Sequence, residues 1–108
     1  AEQMAATLAA LQRQPEAALR HAERSLACCA EEPNPVHGAV AEILRGWALA
    51  HLDQADRGLD SIRAGVDALL ATGQRLGLEL YYGLLAEVYL RRGEHAAALA
   101  ALNAGEEV

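Results

Sequence analysis

The chain has 108 residues, a formal net charge of −6, 53% hydrophobic residues and only 4% aromatics. All nine basic residues are arginines scattered through an acidic chain, which excludes the basic patch of a nucleic-acid binder and the polybasic cluster of a membrane-surface protein. No apolar run approaches the ~20 residues needed to cross a bilayer.

The opening AEQMAATLAA lacks the basic-then-apolar order of a signal peptide, so a cytoplasmic chain is expected. The length fits one domain over 1–108, and the missing initiator Met leads us to expect a fragment of a larger protein. Ala and Leu supply most of the apolar content and β-branched residues are few, a mixture that favours helix over sheet.

In chain order, the first predicted helix covers about 2–12. Pro15 suits the first turn of the next, at about 15–31, and Pro33-Asn34-Pro35 ends it. Further helices are predicted at about 36–52, 55–72, 75–92 and 95–106, with breaks at Asp53-Gln54, Thr72-Gly73 and Arg92-Gly93. The row Leu76, Leu80, Leu84 and Val88 supplies one apolar face at helical spacing. Short turns between six helices imply antiparallel neighbours.

The six helices repeat as three pairs at an offset of 40 residues. Ala6, Gly46 and Ala86 form one column of small residues; Ala18, Gly58 and Ala98 form a second, 12 positions later; Ser25, Gly65 and Gly105 form a third, 7 positions beyond that. Two crossing helices need such residues where one backbone admits the other. Ala9, Leu49 and Tyr89 fall three positions after the first column, and Ala22, Ile62 and Leu102 fall between the last two.

These intervals resemble the tetratricopeptide (TPR) motif, although the period of 40 exceeds its usual 34 or so, and Glu42 and Arg45 stand where that motif carries large apolar residues. The expected architecture is therefore all-α, a TPR-like antiparallel helix-pair solenoid of about six helices. The segments RGWALA, RAGVDALLATG and LLAEVYLRRG, within 43–103, resemble the C-terminal helical-repeat tail of large bacterial signalling proteins. Those proteins join an adenylate or guanylate cyclase domain, or a regulator domain, to an AAA-type ATPase module. The resemblance implies a scaffold role with the chemistry in other domains. A chain without lysine has no GxxxxGK[ST] phosphate loop, and no cofactor is expected.

The other chemistry-bearing residues have plain readings. Cys28-Cys29 with His21 or His37 lacks metal-ligand spacing, since adjacent helical residues point about 100° apart. A disulfide between neighbours would close a strained ring. His21, His37, His51 and His95 occupy four different columns of the repeat, with no nucleophile elbow beside any of them. Glu31-Glu32 and Glu106-Glu107 read as solvated helix ends. No enzyme is expected.

One strip stands out. Leu44, Trp47 and His51, with Leu84, Glu87 and Arg91 one period later, lie toward the face that lines a concave groove in the TPR register. The strip suits a protein or peptide partner, or an adjacent domain. The alternatives are a small-molecule sensor with its ligand near Trp47, and a Trp47 that packs between repeats as core. The carboxylate clamp of chaperone-binding TPR domains is excluded by the absence of lysine and by the positions of Asn34 and Asn103. Ala/Leu-rich terminal faces are expected to make the isolated chain self-associate.

Overall fold

A computed structural model describes residues 7, 9, 10, 12–31 and 33–107. It is all-α. Five helices are delimited: α1 (Pro15–Glu31), α2 (Pro35–His51), α3 (Ala55–Ala71), α4 (Leu78–Arg91) and α5 (His95–Glu106). Most of the predicted helix over 2–12 lies outside the described residues, as does Ala6; Thr7, Ala9 and Ala10 within it are helical. Successive helices pack on one another, and α2 also touches α4. No helix of the described residues is long and apolar enough to cross a membrane.

Local chemistry sets the boundaries. Asn34 caps α2 by accepting the His37 N–H at 3.1 Å, with Pro35 as its first residue, where a missing N–H costs nothing. Three turns share one geometry at intervals of 40 residues: Gln14 N–H donates to Ala9 O at 2.8 Å, Gln54 to Leu49 O at 2.9 Å and Glu94 to Tyr89 O at 2.9 Å. In each, the preceding residue is left-handed, with φ of 62° at Arg13, 66° at Asp53 and 77° at Gly93. This is the six-to-one closure that satisfies orphan carbonyls at a helix C-terminus, a position that favours glycine.

The small columns lie where helices cross. A Cβ added to Gly46 would sit 2.5 Å from Gly58 O and 2.6 Å from Ile62 Cγ1; one added to Gly65 would sit 2.6 Å from Ile43 Cγ1. The backbones of α2 and α3 are therefore in direct contact. Around this crossing, α2 is apolar on nearly every side and largely buried. Glu42 and Arg45, the two polar departures from the motif, pair with each other at 3.1 Å while half-buried.

The structure corrects two expectations. α4 begins at Leu78, not at 75, because a six-residue linker precedes it. Thr72 Oγ1 donates to Leu69 O at 2.6 Å and accepts the Gln74 N–H at 3.2 Å, while Gly73 and Gly77 both take positive φ. Leu76 thus drops out of the predicted apolar row and is 82% exposed. In the second-helix column, Ala22 and Ile62 are buried but Leu102 is 45% exposed, since no described helix covers that side of α5.

Candidate functional site

The predicted strip converges on one carboxylate. Glu87 stands near the middle of α4 and Trp47 and His51 lie one turn apart on α2. Trp47 Nε1–H donates to Glu87 Oε2 at 2.6 Å, and His51 Nε2 meets the same oxygen at 2.6 Å. The other oxygen, Oε1, accepts from Arg13 at 2.6 Å. The Arg13 guanidinium also lies 5.6 Å from the Trp47 ring centroid, and the His51 ring is tilted against the indole at 4.4 Å between centroids.

An ionised carboxylate only accepts hydrogen bonds, so the short contact assigns the proton of His51 to Nε2. Burial pushes the Glu87 carboxyl upward, but the hydrogen bonds from Arg13, Trp47 and His51 together outweigh it and leave the pKa lowered. Burial lowers the His51 pKa, and the opposing pull of Glu87 does not restore it. At neutral pH the cluster is a carboxylate held by one cation, one indole and one neutral imidazole.

The strip is not an open groove. Trp47 has 0% exposure, and Leu44 and Leu84 are buried in the same core. All three lie in the core formed by neighbouring helices. No face of the indole is open for a ligand to stack on. Only His51, Glu87 and Arg91 keep some exposure. The physical reason is that α1, α3 and α4 all close on α2, and Arg13 and Glu87 cover what remains of the ring.

Arg13 is the member that sequence reasoning missed. Its partner lies 74 positions away. A signal did exist: residue 13 shares its column with Asp53 and Gly93, at the left-handed closing position of the turn. An arginine there carries a conformational cost of roughly 1 kcal/mol, so its side chain is the reason for its presence. Elsewhere, Cys28 and Cys29 are free thiols, exposed and half-buried respectively. Among the described residues no group of three or more His, Cys, Asp or Glu is placed to hold a metal ion.

Compared with protein-family models, with curated proteins and with solved structures, the chain matches none.

Proposed function

We propose that the chain is a TPR-like interaction module, a non-catalytic scaffold that binds a protein or peptide or docks a neighbouring domain. The repeat reading is supported by three turns of identical hydrogen bonding at 40-residue intervals and by the small columns at helix crossings. The interaction reading is carried by one observation. Leu90, Leu99 and Leu102 are 49%, 59% and 45% exposed on the adjoining helices α4 and α5, whereas Leu59 and Ile62, at the positions of Leu99 and Leu102 one period earlier, are buried. Exposed leucines grouped on one hairpin mark a contact surface. In this reading the chain belongs to a bacterial signalling protein whose chemistry lies in other domains.

The test is selection of peptides from a displayed library against the chain, with affinities measured by calorimetry. A saturable peptide complex, lost in the Leu99→Glu/Leu102→Glu variant while its helical circular dichroism persists, supports the scaffold. Peptide binding that survives that variant unchanged moves the surface elsewhere. A failure to select any peptide counts against an interaction module.

A further inference from the structure

The groove between α2 and α3 is filled by a helix, and the same groove one period on is open. α4 lies against both α2 and α3, and Ala39, Ile43 and Ala50 of α2, with Leu59, Ile62 and Val66 of α3, are all buried. Forty positions later, the same six places on α4 and α5 are Glu79, Gly83, Leu90, Leu99, Leu102 and Glu106. Gly83 is half-buried and the other five are exposed. Leu99 and Leu102 keep the apolar floor of the filled groove. A Cβ at Gly83 would meet nothing within 4 Å, so this glycine serves no crossing inside the chain and leaves room for an incoming side chain.

Two of the six places change in kind, with carboxylates in place of Ala39 and Val66. They meet at one end of the groove. A Cβ at Gly105, next to Glu106, would come within 3.8 Å of the Glu79 backbone, and Glu107 follows directly. None of these three carboxylates has an ion-pair partner among the described residues. Glu106 and Glu107 also stand at the C-terminus of α5, where the helix dipole is already negative and no basic residue offsets it.

α4 shows how such a groove is occupied. It follows α3 after a short linker, so it runs antiparallel to α3 with its start beside the end of α3. A helix seated the same way on α4 and α5 brings its N-terminus, the positive end of its dipole, onto Glu79, Glu106 and Glu107. The chain's own helices match this poorly. α1, α3 and α4 open on the acids Glu16, Asp56 and Glu79, α2 is largely buried, and α5 is itself a wall of the groove.

We propose that the α4–α5 groove docks an amphipathic helix of another protein, seated as α4 is on α2 and α3, with its apolar face on Leu90, Leu99 and Leu102 and a basic N-terminal end on Glu79 and Glu106. This names the partner of the interaction module proposed above and rests on that reading. Continuity with the filled groove specifies a helix, and the carboxylates specify its charge and direction.

Fluorescence anisotropy of labelled synthetic helices added to the 108-residue chain is the test. The probe is an alanine-based peptide of about 18 residues, long enough to hold a helix, with leucines along one face and arginines just ahead of its first turn. The control carries glutamates in place of those arginines. The probe is expected to bind saturably and roughly tenfold or more tighter than the control, and Glu79→Arg/Glu106→Arg is expected to reverse the preference. Leu99→Glu/Leu102→Glu should abolish binding of both, and circular dichroism checks that each variant keeps its helices. Equal affinity for the two peptides overturns the proposal, as does a preference that survives the arginine variant unchanged. Sedimentation showing a wild-type dimer that is lost in Leu99→Glu/Leu102→Glu also overturns it, since a second copy then fills the groove. A chain that refuses both helices yet binds a selected peptide of extended, proline-containing sequence overturns the helix and leaves the interaction module standing. A chain that binds no peptide of any kind overturns both.

Discussion

The hairpins α2–α3 and α4–α5 occupy the same register and solve the same crossing differently. The central hairpin has glycine at all three small positions, Gly46, Gly58 and Gly65, and its backbones touch. The C-terminal hairpin has Ala86, Ala98 and Gly105; two Cβ atoms are already accommodated there, and a third at Gly105 would meet Tyr82 Cβ at 3.2 Å. A shared pattern of small residues therefore fixes where two helices cross, and the number of missing methyls fixes how closely. The central pair is bound by backbone proximity, and the terminal pair by ordinary side-chain packing that leaves its outer leucines open.

The sharpest way to break this contrast is the same substitution in both hairpins. Gly58→Ala should cost roughly 2–3 kcal/mol, because the added methyl runs into backbone that has no room to move. Gly105→Ala should stay within about 1 kcal/mol of wild type, helix propensity offsetting a mild squeeze on Tyr82. Urea midpoints at neutral pH decide it; equal costs would remove the distinction.

Next comes the carboxylate that ties the two hairpins and the Arg13 turn together. Glu87→Ala should cost about 2–3 kcal/mol, because it removes charge-assisted bonds and leaves the Trp47 N–H enclosed without an acceptor. The same group sets a pH dependence. The Glu87 pKa is lowered from 4.5 in the fold, so its stabilisation is complete above pH 4.5 and is lost as pH falls through the folded value. The His51 pKa is lowered from 6.5, so the unfolded chain binds its proton first and stability begins to fall below pH 6.5. A midpoint series from neutral to acid pH should slope downward in both windows, and the loss below pH 4.5 should shrink in Glu87→Ala.

A smaller effect tests the arginine in the left-handed turn. Arg13→Gly relieves about 1 kcal/mol of backbone cost but gives up an ion pair whose arginine side is 60% exposed, a contact worth at most about 1 kcal/mol after screening. The substitution should be nearly neutral in wild type and stabilising by about 1 kcal/mol in a Glu87→Ala background. Smallest of all, Gly83→Ala should raise monomer stability by about 0.5–1 kcal/mol, since it fills only open space. Thermal unfolding at dilution checks this; a loss of stability would mean that α4 already needs its glycine within one chain.

The crossings were legible because close approach leaves a mark in the sequence itself, as small residues (Gly, Ala or Ser) that recur at a fixed offset. That Trp47 and Glu87 share one strip was legible from the same offset, but not that the carboxylate takes the indole and the imidazole together. Enclosure of that strip was not, since it depends on α1, α3 and α4 closing on α2 from separate directions. The start of α4 was hidden because Leu76 continues the apolar spacing through a linker that two left-handed glycines hold out of helix. Arg13 was hidden by distance along the chain, though its column pointed to a position where arginine is costly.

The convergence of indole and imidazole on one carboxylate oxygen has an optical consequence. Trp47 is the chain's single tryptophan, so its emission comes from one site where α2, α4 and the Arg13 turn meet. A sheltered, hydrogen-bonded indole emits toward the blue, and an imidazolium 4.4 Å away quenches it. Titrating His51 or pulling Arg13 away therefore changes colour or yield before the helices melt. The protein carries its own unlabelled gauge of whether α2, α4 and the Arg13 turn are seated on one another.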